Sequence, residues 1–161
     1  LAEYAIGCGM NVTAVDMFTG PRNLSIQLGN GISASATITP ITSLEEGIKN
    51  ADYISLHVPK QADGSAVISK KEFAIMKDGV RIANAARGGV INEDDLLDAL
   101  NTGKVAGIAL DVFENEPNPR KELLNHPRIA CTPHIGAATG EAQDRIGTEL
   151  ASLIIEKFGT F

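Results

Sequence analysis

Three kinds of reactive side chain recur in this sequence beside small residues. Arg87 follows Ala85-Ala86 and precedes Gly88-Gly89. Asp111, Glu114 and Glu116 crowd into one short stretch, and His134 lies within Thr132-Pro133-His134-Ile135-Gly136. An imidazole titrates near neutral pH, so it can take a proton in one direction of a reaction and return it in the other. A carboxylate beside the ring favours its charged form. A guanidinium is a rigid fork that grips a carboxylate through two parallel hydrogen bonds. Singly, each has an ordinary reading: a histidine that holds structure, a solvated arginine, loop carboxylates. Together they gain weight from where the chain puts them.

Each group follows an apolar run that reads as a β-strand: 80–83 before Arg87, 105–110 before Asp111, and 128–131 before His134. Helical segments separate them. Asn92-Glu93-Asp94-Asp95 opens one that runs through Leu96, Leu97 and Leu100 to Gly103, and a helical turn covers 121–124. Strand alternating with helix is the signature of βαβ units around a parallel sheet. Short apolar runs such as 105–110 suit strands buried on both faces. The fold class is α/β, a doubly wound parallel sheet. Ligands of such sheets bind beyond the carboxyl ends of the strands, where all three groups fall.

The remaining segments extend the pattern. Leu1, Tyr4, Ala5 and Cys8 recur at helical spacing, with Cys8 facing the core, and no N-cap precedes them. Residues 11–15 read as a strand ending at Asp16, 17–32 as loop, and 36–39 as a short strand stopped by Pro40. Ser43 and Glu46 form a capping box for a helix to about Asn50, and Ser69 and Glu72 form another. A strand covers 53–58. Thr139 caps a last helix whose Ile146, Leu150, Leu153 and Ile154 make one stripe. An acidic residue ending the second strand of a dinucleotide-binding fold bonds the adenosine ribose, about 20 residues beyond a glycine-rich phosphate loop. Counting back from Asp16 runs off the front of the chain. The expectation is therefore a piece of a longer protein, with the first strand and its glycine-rich loop upstream of Leu1.

Composition narrows the class. The chain has 161 residues, 43% of them hydrophobic, and a net charge of −6. One globular domain follows, and the acidic balance argues against nucleic acid or an anionic membrane as partner. No apolar run approaches the roughly 18 residues of a membrane span. Two cysteines are too few for a disulfide framework and suit a cytoplasmic protein. Cys131, inside an apolar strand, reads as a small buried hydrophobe, and His126 as solvated. No His, Cys or carboxylate spacing suggests a metal.

The runs 84–92 (NAARGGVIN), 107–117 (GIALDVFENEP) and 132–138 (TPHIGAA), with 51–59 (ADYISLHVP), resemble the D-isomer-specific 2-hydroxyacid dehydrogenases. That resemblance implies an oxidoreductase moving a hydride between NAD and carbon 2 of a small 2-hydroxy acid. It makes residues 1–161 a partial Rossmann-like NAD-binding domain, with the substrate domain elsewhere. It casts His134 as acid/base, Glu116 as its carboxylate partner, and Arg87 as the grip on the substrate carboxylate. Asp16 is implied at the ribose and Asp111 on the nicotinamide side. His57, Val58 and Pro59 flank the adenine, while Ala85, Ala86, Arg87, His134, Ile135, Gly136 and Ala137 line the cofactor. Ala85 and Ala138 depart from the Thr and Ser common there. A homodimer is implied too. The substrate expected first is phosphoglycerate, then glyoxylate or hydroxypyruvate. A module that senses NAD without catalysis is the alternative, and one that does not need the Arg87, Glu116 and His134 set.

Overall fold

The computed structural model describes residues 1–159. The last two residues of the expected domain lie outside the described ones. The chain forms two compact units, one of residues 1–51 with 75–77, the other of 52–74 with 78 onward.

The first unit holds α1 (Ala2–Gly7), β1 (Arg22–Gly29), β2 (Ile32–Ile38) and α2 (Leu44–Lys49). The expected loop over 17–32 is wrong: β1 and β2 pair as an antiparallel hairpin from Arg22 opposite Ile38 to Gln27 opposite Ser33. The turn residues Gly29, Asn30 and Gly31 carry φ of 90°, 50° and 75°, left-handed values that glycine and asparagine adopt readily and that match the twist of paired strands. Ile26 is buried while its neighbours Ser25 and Gln27 are exposed, as a one-sided strand requires. Helix α1 lies on β1, with Glu3 Oε1 accepting from Ser25 N at 3.0 Å. It buries no residue, so Cys8 is exposed and not core-facing. The expected strand over 11–15 is reduced to one parallel bridge, Val15 to Ile41. Ser43 Oγ accepts from Glu46 N at 3.2 Å and starts α2, as its capping position predicts.

The second unit is the α/β sheet. It holds β3 (Tyr53–Leu56), all but the last residue of α3 (Lys70–Ile75), β4 (Val80–Asn84), α4 (Glu93–Asn101), β5 (Val105–Leu110), α5 (Lys121–Leu124), β6 (Ile129–Cys131) and α6 (Gly140–Phe158). The four strands are parallel and lie in the order β3-β4-β5-β6. Their carboxyl ends therefore share one edge. The caps read in the sequence are in place: Asn92 Oδ1 accepts from Asp95 N at 2.9 Å, and Thr139 Oγ1 from Ala142 N at 3.2 Å. At α3, Glu72 accepts from both the amide and the hydroxyl of Ser69.

The core beneath the sheet is built from Val80, Ile82, Val90, Leu96, Leu100, Val105, Ile108 and Leu123, all buried. Each such side chain contributes roughly 1.5–3 kcal/mol by leaving water. Burial alternates in β4, where Val80, Ile82 and Asn84 are buried and Arg81 is exposed. In β5, Ala109 is exposed between Ile108 and Leu110. β4 and β5 are thus not buried on both faces, since Arg81 and Ala109 stay exposed between buried neighbours. One further expectation fails at the end of the unit: Cys131 is exposed, since β6 is the edge strand. Helix α6 follows its Thr139 cap as expected, and its stripe of Ile146, Leu150, Leu153 and Ile154 is exposed.

Candidate active site

The shared edge brings Arg87, Asp111, Glu116 and His134 onto loops that leave β4, β5 and β6. A shallow cleft opens there, lined by Asn84, Ala85, Asp111, Cys131 and Thr132 among others.

Asp111 organises this edge. It directly follows β5 and is buried. Its Oδ1 accepts from Thr132 Oγ1 at 2.5 Å and from Ile135 N at 2.9 Å, and its Oδ2 accepts from Gly136 N at 2.8 Å. Burial pushes its carboxyl up, but these hydrogen bonds outweigh it and hold the group below the usual aspartate range. A Cβ at Gly136 would stand 3.0 Å from Asp111 Oδ2 and would press on that carboxylate. The segment so pinned carries His134 at φ 55°. A left-handed backbone costs a non-glycine residue on the order of 1–3 kcal/mol, and the bonds from Asp111 to the next two amides offset it.

His134 Nδ1 lies 2.6 Å from Glu116 Oε2. The other Glu116 oxygen accepts from Phe113 N at 2.8 Å. Hydrogen bonding from His134 first, then from the Phe113 amide, holds the Glu116 carboxyl below its usual range. The carboxylate is therefore charged and braced on both sides, and it fixes the ring through one nitrogen. About half of the His134 side chain is exposed. This is an arrangement for moving a proton at the edge of a cleft.

Arg87 is placed differently. Asn84, buried at the end of β4, accepts from Ala86 N at 3.1 Å and donates to the Arg87 carbonyl at 3.1 Å. The turn is fixed, yet the guanidinium is exposed, and its Nη1 donates to the carbonyl of Ala86 at 2.6 Å. Arg87 forms no ion pair among those found between described residues. Its remaining donors suit an incoming carboxylate.

The other expected residues are dispersed. Ala85 and the segment 135–137 are exposed along the same edge. Ala86 is half-buried beneath Arg87. His57, Val58 and Pro59 follow β3, with His57 Nε2 at 2.9 Å from Ser55 Oγ. Asp16 belongs to the first unit, where its Oδ1 accepts from Phe18 N at 3.0 Å. Partial burial pushes the Cys131 thiol up, which makes it a poor nucleophile. His126 is half-buried and its Nδ1 accepts from Arg128 N. Among the described residues no group of three His, Cys, Asp or Glu side chains is placed to hold a metal ion.

Sequence reasoning missed Asn84, whose one signal is an amide side chain between an apolar strand and a glycine pair. It also missed a close approach at Gly88, where a Cβ would stand 1.8 Å from the Phe113 carbonyl oxygen.

A cleft at the carboxyl edge, a glycine where backbone meets backbone and a braced histidine make a site that a dinucleotide and a small acid can share. Comparison with known proteins agrees. The chain belongs to the D-isomer specific 2-hydroxyacid dehydrogenases, through their NAD binding domain, whose family model matches residues 1–136. It is 42% identical over 156 residues to D-3-phosphoglycerate dehydrogenase 3, chloroplastic, of Arabidopsis thaliana, covering 96% of this chain and 25% of that protein. It is 38% identical over 162 residues to hydroxypyruvate reductase of Thermotoga maritima, covering 99% of this chain and 49% of that protein. Among solved structures, D-lactate dehydrogenase of Aquifex aeolicus, complexed with NAD and lactic acid, matches with a TM-score of 0.61 at 32% identity, over 76% of this chain and 42% of that one. The chain spans between a quarter and a half of these two curated relatives. No helix among the described residues is long and apolar enough to cross a membrane.

Proposed function

We propose that this chain is the NAD-binding, acid/base half of a dehydrogenase acting on D-2-hydroxy acids, with 3-phosphoglycerate as the first-choice substrate. The observation that carries the reading is the His134 ring held by the charged Glu116 carboxylate at 2.6 Å. A purely sensing module has no use for that pair. Bound NAD supplies the hydride acceptor, or as NADH the donor. The protein's part is the proton and the placement. His134 takes the proton of the substrate hydroxyl in oxidation and returns it in reduction. Glu116 steadies the imidazolium that results, and Arg87 holds the substrate carboxylate so that the reacting carbon is presented in one orientation.

The cofactor would lie along the 85–87 turn and the 134–137 segment, with Asp111 behind it and residues 57–59 toward the adenine. Asp16 would take the ribose hydroxyls, which favours NAD over NADP because a 2′-phosphate would meet a carboxylate. Residues 1–161 would form this half alone, with substrate-selecting residues on another domain. A homodimer and a cytoplasmic setting belong to the same reading, the latter supported by two unpaired cysteines.

A second substrate reading, glyoxylate or hydroxypyruvate, is favoured by the hydroxypyruvate reductase likeness, which covers nearly the whole chain. Steady-state assays of the full-length protein with NADH separate the two. The 2-oxo counterpart of 3-phosphoglycerate should give the highest kcat/KM, ahead of hydroxypyruvate and glyoxylate. A higher value for either of the others would exchange the substrate readings. NADH binding without turnover of any 2-oxo acid would favour the sensor.

A further inference from the structure

One more carboxylate connects the acid/base pair to the core. Glu93 opens α4 and is only 5% exposed. Its Oε1 accepts from Glu114 N at 2.8 Å, while its own amide donates to Glu114 Oε1 at 3.2 Å. Two glutamates thus clasp each other's backbone across 21 residues of sequence. The second oxygen, Oε2, is buried without a hydrogen-bond partner.

Gly88 grips the same stretch. A Cβ at Gly88 would stand 1.8 Å from the Phe113 carbonyl oxygen and 3.0 Å from Glu114 N. The peptide joining 113 to 114 is therefore held by bare backbone at Gly88 and by the Glu93 carboxyl. The amide just before it, Phe113 N–H, braces Glu116, which in turn meets His134. A glutamate in the first turn of a helix ordinarily faces water, where the helix dipole favours its charge. Glu93 forgoes that and is buried beside a second carboxylate.

We propose that Glu93 is a positioning residue for the acid/base pair, acting as an uncharged acid. It locks the 113–114 peptide and thereby sets where Glu116 holds the His134 ring. The inference rests on the dehydrogenase reading of that pair. The unpartnered Oε2 favours the uncharged form. A buried hydroxyl lacking one acceptor costs far less than a buried carboxylate held by one amide with its second oxygen bare. The charged groups around it are Glu114 on the loop after β5, Asp94 next to it on α4, and Arg120 before α5, which pairs with Asp94. Burial is the largest influence and holds Glu93 above the usual carboxylate range. Glu114 and Asp94 add to it, while Arg120 and the bond from the Glu114 amide oppose it.

Two variants of the full-length protein separate reach from charge. Glu93→Gln keeps the reach and cannot ionise; Glu93→Asp keeps the acid and is one methylene short. With folding verified by circular dichroism, E93Q should keep kcat within about twofold of wild type. E93D should lose about tenfold in kcat, inside the 10²-fold that a small misplacement can cost, with KM for the 2-oxo acid little changed. The 15N and 1H signals of the His134 ring should move in E93D and stay in place in E93Q. A residue that merely stabilises the fold would lower the melting temperature and leave those signals alone. E93D matching wild type in kcat and ring signals would overturn the proposal, as would E93Q failing as badly as E93D. A wild type that turns over no 2-oxo acid would sink the dehydrogenase reading instead, and the ring signals would then decide the positioning role by themselves.

Discussion

The loop that carries Arg87 and the segment that carries His134 leave the same sheet edge, yet they are held differently. At Arg87 the backbone is tied down by Asn84 and the guanidinium is left exposed. At His134 both are fixed: Asp111 pins the two amides after the residue and the Thr132 hydroxyl before it, and Glu116 pins the ring. The contrast fits two tasks. A proton-transferring group has to be aligned before the substrate arrives, because misalignment enters the barrier directly. A group that grips a carboxylate can be ordered by the ligand, at a cost of up to about 2 kcal/mol of side-chain entropy on binding.

The sharpest break in that contrast is at the ring. His134→Ala should reduce kcat of the full-length enzyme by at least about 100-fold, the usual loss on removing a general acid/base, while NADH binding persists. Near-normal turnover would remove His134 from the chemistry.

Asp111 tests the pinning. Asp111→Ala leaves two amides and a hydroxyl without their charged acceptor and should cost about 3 kcal/mol of stability, read by denaturant unfolding. Asp111 is held below the ordinary aspartate range when folded. Its contribution is therefore complete above the unfolded value of about 3.9 and is lost as pH falls through the lower folded value. Wild-type melting temperature should fall more steeply below about pH 4 than that of Asp111→Asn. Parallel curves would contradict the pinning role.

Arg87→Lys should leave stability within about 0.5 kcal/mol, as exposed sites do. Its KM for the 2-oxo acid should rise about tenfold, since an ammonium is not a planar fork. A loss of stability in place of a rise in KM would make Arg87 structural. The smallest effect should be at Cys131, beside the pinned segment but on the edge strand: Cys131→Ser should change stability by less than about 0.5 kcal/mol and leave turnover alone. A larger change in either would mean that the cysteine packs where the sequence first suggested.

Much of this was readable because it is local. The caps Ser43, Asn92 and Thr139 name their helices by side-chain chemistry, and the apolar run 105–110 is β5 residue for residue. Placing ligands at strand carboxyl ends was enough to gather Arg87, Asp111, Glu116 and His134. The β1–β2 hairpin was missed because Gly29-Asn30-Gly31 punctuates so strongly that the alternation of Leu24 and Ile26 with Ser25 and Gln27 went unweighed. Cys131 was misjudged because a short apolar strand looks alike at the centre and at the edge of a sheet. The Glu93–Glu114 clasp has no local signal. It depends on two loops meeting, and Glu93 alone reads as an ordinary first-turn carboxylate.

The most direct test of the acid/base pair is kcat of the oxidation reaction in wild type and Glu116→Gln. Glu116 meets the His134 ring at 2.6 Å, and the amide removes the charged acceptor that holds it there. The account predicts that kcat falls by at least about tenfold, inside the 10²-fold that a small misplacement can cost, while NADH binding persists. A wild-type kcat would contradict it, for then Glu116 would hold a ring whose work it does not influence.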